Sequence, residues 1–299
     1  MSRLGEFLIL ALNRIVPMVP THRSLDLAKQ DVDDYQRWEY LEVKRLYRDF
    51  GHHWDLCDKY VLDVGCGLGG KPLFYAEQGA ASVIAVDIRL DSAQAALELA
   101  RERGRDDMIH VFVADGTCLP FASGEFDIII SINVFEHVHD PLAMLAECKR
   151  VLRPDGLILL HFPPFYSPWG AHLEGWLHFP WPHLLFSDKT LIGAVKRIEA
   201  KRRLNTKYIP TARMDWSALN GLPGLNRLTV RRFKAMIRAL DLQQVECRLL
   251  PFGRHYLLDR GAVAQGLLRV LYWLARKPGL CEVITTKMVY VLTKAPDGA

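Results

Sequence analysis

An α/β fold with a doubly wound, mostly parallel sheet is predicted by three observations. Five short apolar runs alternate with helix-like segments between Tyr60 and Phe162. The first run, VLDV, breaks into GCGLGG, with four glycines in six residues. That pattern marks a buried strand turning sharply into a helix where a ligand approaches the backbone. A later run, FDIIIS at 126–131, is apolar without alternation, as a central parallel strand covered on both faces must be.

The elements follow in order. Residues 33–50 have Trp38, Leu41, Leu46 and Phe50 near helical spacing, which predicts a helix leading into the first strand. Tyr35 and Trp38 are expected mainly as core. The first strand is 60–64, and the helix after the glycine loop is 71–78, stopped by Gly79. A second strand at 82–86 ends in Asp87, and a helix runs to Arg103 from Asp91 as its N-cap. The third strand, 109–113, ends before Asp115. The fourth is 126–131, followed by a helix at 141–152 and a fifth strand at 156–162. Right-handed crossovers follow from the alternation. Ligands of such sheets lie beyond the carboxyl ends of the strands.

The alternation then stops. Residues 162–186 hold eight aromatics and five prolines, too much large apolar surface for a disordered linker. An ordered cap inserted after the fifth strand is predicted, with a basic helix at 189–204. A helix at 229–240 and strands at 244–250 and 286–292 resume the core and bring the sheet to seven strands. Residues 262–275 read as a further helix that closes over the cap. The expected divisions are an N-terminal helical segment (1–55), a ligand-binding core (56–162), a substrate cap (163–226) and a C-terminal completion of the core (227–299).

Composition narrows the function classes. The chain has 299 residues, half of them apolar, so it is globular. Its six cysteines lie far apart with no C-x-x-C pair, which argues against a zinc module and for reduced thiols in the cytoplasm. Residues 7–19 are apolar but interrupted by Asn13, Arg14 and Pro17, with Glu6 before them. A helix packed on the body is expected there, ahead of a signal peptide or a membrane-surface anchor.

The glycine loop admits two readings. Gly65, Gly67 and Gly70 fit G-x-G-x-x-G, whose helix N-terminus receives a dinucleotide pyrophosphate. Asp63, Gly65, Gly67 and Gly69 fit D-x-G-x-G-x-G, in which the backbone approaches a sulfonium cofactor bearing an amino acid. Three further stretches follow in order: VIAVDI, ADGTCLPF, and FDIIISINVFEHVHDP with ECKRVLRPDGLILL. Together they resemble the class I S-adenosylmethionine-dependent methyltransferases of the small-molecule, ubiquinone-biosynthesis-like type, over residues 60–162. The resemblance implies a Rossmann-like fold and S-adenosyl-L-methionine as cofactor. It also implies a cofactor set of Asp63, Gly65, Cys66, Gly67, Gly69, Asp87, Ile88, Asp115, Gly116 and Asn133. In that set Asp87 bonds the ribose hydroxyls and Asp115 accepts the adenine amino group, with Gly116 offering backbone beside it.

Methyl transfer is an in-line displacement, so positioning and water exclusion carry much of the rate, and a base is needed only if the acceptor loses a proton. Six of the eleven histidines fall between His137 and His183. His137 is the candidate base, because imidazole titrates near neutrality. His161, Tyr166, Trp169, His172 and Trp176 are the candidate acceptor-binding residues. Relatives in ubiquinone biosynthesis hold a divalent cation with two acids and a histidine; Glu136 and His137 match two positions but Asn133 replaces the first acid, so no metal is expected. HFPPFY at 161–166 is similar to an amino-methyltransferase motif for nucleic acids and proteins, but it follows the fifth strand instead of the fourth, so nucleic acid is not an expected substrate.

Residues 189–213 contain eight basic residues against Glu199 alone. A solvated helix face accounts for this, and so does attraction for phosphate, carboxylate or an anionic membrane surface. The expected activity is methylation of an oxygen, or a carbon, of a small hydrophobic metabolite. The rivals are a non-catalytic S-adenosylmethionine-binding protein and a nicotinamide-dependent oxidoreductase.

Overall fold

The computed structural model describes residues 2–15, 32–202, 224–257 and 261–295. The chain divides into two compact units. One comprises Val32–Phe162, Val230–Arg248 and Met288–Ala299, and the other Met1–Asp31, Pro163–Thr229 and Leu249–Lys287. The divisions drawn from sequence fall elsewhere: segment 1–55 is shared between the units at Asp31, and 227–299 contributes to both.

The first unit carries the sheet. Helix α1 (Ser2–Ile15) belongs to the other unit, so the sheet unit opens with α2 (Val32–Phe50) and a short 3-10 turn (Gly51–His53). Then come β1 (Tyr60–Val64), α3 (Gly70–Glu77), β2 (Ser82–Asp87), α4 (Leu90–Glu102), β3 (Ile109–Val113), β4 (Phe126–Ile132), α5 (Pro141–Val151) and β5 (Leu152–Phe162). After α6 (Pro182–Leu185) and α7 (Asp188–Arg202) of the helical unit, α8 (Val230–Ala239) and β6 (Leu242–Pro251) follow. The helices α9 (Arg254–Leu257), α10 (Ala262–Ala275) and α11 (Leu280–Ile284) precede β7 (Thr285–Lys294).

The seven strands are ordered β3-β2-β1-β4-β5-β7-β6. The pairs β1–β2, β1–β4, β2–β3 and β4–β5 are parallel, and β5–β7 is antiparallel. The chain winds outward from β1 on one side and from β4 on the other, which puts the switch point between them. β4 is buried almost throughout, consistent with its unbroken apolar run. Ser131 Oγ donates to Val64 O at 2.9 Å across that switch point.

Local chemistry sets several boundaries. Asp140 caps α5, its Oδ1 accepting from Leu142 N at 3.1 Å and Ala143 N at 3.0 Å, with Pro141 in the first turn. Asp91 is not a cap: Arg89 is the N-cap residue of α4, and Asp91 pairs with the Arg89 guanidinium at 2.6 Å. β5 begins at Leu152 because Leu152 pairs with Phe126 before a register shift, and regular pairing resumes at Leu157 with Ile128.

The helical unit has a core of its own, including Ile9, Trp176, Leu177, Leu191 and Val195. Helix α1 crosses α7 at two glycines: a Cβ on Gly5 would meet Thr190 Cγ2 at 2.7 Å, and one on Gly193 would meet Glu6 Oε1 at 2.5 Å. Arg197 Nε is paired with Glu6 at 2.8 Å. Asn13 is an interlock, donating to Trp176 O at 2.7 Å and accepting from His178 N at 2.6 Å. Losing both bonds removes two part-buried links between α1 and the 176–178 backbone. Asn13→Ala is therefore expected to lower unfolding free energy by about 2 kcal/mol, read by urea denaturation. Of the basic run, Lys189, Lys196 and Arg197 are exposed; the side chains of Lys201 and Arg202, and all of Arg203, Lys207 and Arg213, lie outside the described residues.

Candidate functional site

The carboxyl ends of β1, β2 and β4 converge on the glycine loop. Gly65, Gly67 and Gly69 have φ of 84°, 62° and 99°, a region that costs a side-chain-bearing residue about 1–2 kcal/mol. Gly65 N and Cys66 N donate to Val86 O at 2.8 and 2.9 Å, which fastens the loop to β2. The Asp87 carboxylate accepts from Gly67 N and Arg89 N, both at 3.0 Å. Lone pairs remain on it for a further donor.

Helix α2 supplies what motif reading missed. Glu39 is buried and accepts from Leu68 N at 3.2 Å and Gly70 N at 3.1 Å. Gln36 Nε2 donates to Leu68 O at 2.9 Å and to Ala95 O at 3.2 Å. A glutamate 26 positions before Gly65 carries no motif signal; its amphipathic helix was the only hint. Lys71 is buried too, and its Nζ donates to Gly65 O at 2.6 Å and reaches Ile132 O at 3.5 Å. It thereby ties the ends of β1 and β4 beneath the loop.

Asp63, at the end of β1, is fully buried with neither carboxylate oxygen hydrogen-bonded. Burial pushes it up to about 6, with Lys71 pulling it back and Asp87 adding to the rise. Burial likewise pushes Glu39 up to about 7 against the pull of Lys71 and of the Gly70 and Leu68 N–H groups. For Lys71, burial favours the neutral amine, but Asp63 and Glu39 outweigh it and hold the ammonium above its usual range. Tyr35 is raised by burial, then by Glu39 and Asp87. Burial, then Asp63, also lifts the Cys66 thiol well above its ordinary value, which leaves it inert as a nucleophile.

These shifts fix a pH dependence. A carboxyl whose folded pKa is raised contributes most when protonated, so the contribution is complete below the unfolded range near pH 4. It is lost as pH rises through about 6 for Asp63 and about 7 for Glu39. The thermal midpoint of the ligand-free chain is expected to fall between roughly pH 4 and 7, with a shallower fall in Glu39→Gln.

The remaining sequence candidates sit as follows. Asp115 is exposed in the turn after β3, its Oδ1 accepting from Thr117 N at 2.9 Å and Thr117 Oγ1 at 2.8 Å. That turn is held from α5: Arg150 donates to Phe121 O at 2.7 Å and Leu119 O at 2.9 Å, while Glu147 accepts from Leu119 N at 2.8 Å. Gly116 is half-buried and Ile88 exposed. Asn133 adopts φ 56° and its N–H donates to His161 O at 2.8 Å.

His137 is partly exposed, with Nε2 4.0 Å from Oε1 of the buried Glu136. Its loop is anchored by Phe135, which stacks on Phe162 at 5.5 Å and meets Phe233 edge-on at 5.7 Å. His161 is buried on β5. Tyr166, Trp169, His172 and Trp176 belong to the helical unit, where Tyr166 is exposed, Trp169 and His172 are half-buried and Trp176 is a core residue.

Residues 62–160 match the family model described as "Methyltransferase domain". The chain is 31% identical over 164 residues to the ubiquinone biosynthesis O-methyltransferase of Neisseria meningitidis serogroup A / serotype 4A, covering 55% of this chain and 58% of that protein. It is 38% identical over 120 residues to an uncharacterized methyltransferase of Mycobacterium sp. (strain JLS), covering 40% of this chain and 44% of that protein. It thus spans about half the length of these curated relatives. In fold it resembles the geranyl diphosphate C-methyltransferase of Streptomyces coelicolor A3(2), with a TM-score of 0.53 and 15% identity, covering 95% of this chain and 87% of that one. The ordered strand ends, the glycine loop and these matches agree: residues 62–160 are similar to a methyltransferase domain.

Proposed function

We propose that this chain transfers the methyl group of S-adenosyl-L-methionine to an oxygen, or alternatively a carbon, of a small hydrophobic metabolite. One observation carries the choice of cofactor. In dinucleotide-binding proteins, amide groups at the glycine loop and helix N-terminus receive a pyrophosphate. Here Leu68 N and Gly70 N are engaged by Glu39, and Gly67 N by Asp87. Asp63 adds a third carboxyl, buried as Glu39 is, against a single buried ammonium already committed to Gly65 O. Such a loop repels a pyrophosphate and attracts a cation, and S-adenosylmethionine brings both a sulfonium and an ammonium.

When bound, that cofactor supplies a methyl group already activated for displacement. The residues that would hold it are Asp63, Gly65, Cys66, Gly67, Gly69, Asp87, Ile88, Asp115, Gly116 and Asn133. Asp87 would accept from a ribose diol through its spare lone pairs, and the glycines would let the backbone close without Cβ clashes. His137 is the proposed base for an acceptor hydroxyl. His161, Tyr166, Trp169, His172 and Trp176 are proposed to select the acceptor, Trp176 by holding the helical unit's core in shape.

The Neisseria relative supports a small-molecule acceptor and transfer to oxygen. The aromatic segment after β5 and the exposed Lys189 and Lys196 support a greasy acceptor with an anionic portion, and peripheral contact with a membrane surface belongs to the same reading. The test is mass spectrometry of a source-cell extract incubated with the protein and S-adenosylmethionine carrying a deuterated methyl group. A metabolite gaining the labelled methyl only with active protein is the expected result. Cofactor binding without any labelled product across extract fractions would favour the non-catalytic reading.

A further inference from the structure

Helix α10 turns large apolar side chains away from its own unit. Leu268 and Ala275, a heptad apart, are its buried residues and seat it on the helical unit. On another face, Val263, Leu267 and Val270 follow at i, i+4 and i+7; Val263 is 90% exposed and the other two are each 51% exposed. Trp273 is 57% exposed and Leu280, just beyond the helix, 44%. Isolated exposed aliphatics are ordinary, but a stripe of four on one short helix, one of them Trp, is an interaction surface.

The charges say what covers it. Residues 261–281 contain no Asp or Glu and three cations, Arg269, Arg276 and Lys277, all exposed. Lys277 Nζ lies 4.3 Å from the Trp273 ring centroid, which keeps the ammonium at the rim of the apolar stripe. A second copy docking through the same face would bring these cations against their own counterparts with no acid on the helix to neutralise them. An anionic lipid surface supplies the missing negative charge and accepts aliphatic side chains together. Among the described residues no helix is long and apolar enough to cross a membrane. At 14 residues α10 is about 21 Å long, short of a bilayer core, so it suits lying in the interface.

We propose that α10 is a lipid-docking helix, with Val263, Leu267, Val270 and Trp273 seated at the acyl boundary and Arg269, Arg276 and Lys277 on anionic headgroups. This deepens the peripheral-contact part of the proposed function without resting on the chemistry: vesicle binding can fail while methyl transfer stands, and the reverse.

The test is co-sedimentation of the full chain with phosphatidylcholine vesicles, with and without phosphatidylglycerol. The wild type is expected to pellet with phosphatidylglycerol-containing vesicles and much less with phosphatidylcholine alone. The double variant Leu267→Glu/Val270→Glu should bind roughly tenfold more weakly or worse, and Arg269→Gln/Lys277→Gln should lose the preference for phosphatidylglycerol. All four positions are exposed, so circular dichroism should show both variants folded; Val263→Glu provides a third, single-site test. No pelleting of the wild type, or full pelleting of the glutamate variant, would overturn the proposal. So would a concentration-dependent dimer, seen by light scattering, that the glutamate variant dissociates.

Discussion

Replacing Gly67 with alanine is expected to destabilise the chain by about 3 kcal/mol or more and to abolish cofactor binding. Two costs add. At φ 62° alanine sits in the left-handed region, which costs about 1–2 kcal/mol. The new Cβ also overlaps Glu39 Oε1, the atom that accepts from Leu68 N. The carboxylate must then leave one or both of its amide donors, and each hydrogen bond to a charged group is worth about 1.5–3 kcal/mol. Gly104 provides the control. It has nearly the same φ, 59°, yet a Cβ there meets nothing within 4 Å, so Gly104→Ala should incur the backbone cost alone. Urea denaturation of the two variants separates backbone strain from the Glu39 contact. Equal losses would mean that Glu39 is not a fixed part of the loop.

Asp87→Ala is expected to weaken S-adenosylmethionine binding by at least about a hundredfold, measured by calorimetry. The carboxylate has two tasks. It holds Gly67 N and Arg89 N at 3.0 Å, and its remaining lone pairs are the proposed acceptors for a ribose diol. Two charge-assisted bonds to the ligand at about 1.5–3 kcal/mol each imply a loss of two orders of magnitude or more. Asp87→Asn keeps the size and one acceptor, so it should fall between. Binding within a few-fold of wild type in Asp87→Ala would remove Asp87 from the cofactor site.

The sheet was legible from sequence because its strands are short, apolar and separated by glycine or acid at their ends; 60–64 and 109–113 were read to the residue, and the seven-stranded, mostly parallel sheet was expected. The antiparallel β7 cannot be read from periodicity, since strand direction depends on the path of the chain between pairs. Asp91 misled because an acid early in a helix serves equally as a cap or as a first-turn charge, and its pairing with Arg89 decides for the latter. Glu39, Gln36 and Lys71 escaped for a different reason. Their partners are backbone atoms of a loop that exists only once β1, β4 and α2 have packed, so no local spacing announces them. Trp176 shows the limit of composition: an aromatic in a proline-rich stretch looks the same whether it lines a pocket or, as here, fills a core.

On the proposed reading, a glycine loop whose amides are already held by Glu39 and Asp87 selects a cationic cofactor over a pyrophosphate. Isothermal titration of the full chain with S-adenosylmethionine and, in parallel, with NAD tests it most directly. Saturable one-site binding of S-adenosylmethionine and no heat of binding from NAD are expected. Saturable binding of NAD with none of S-adenosylmethionine would contradict it.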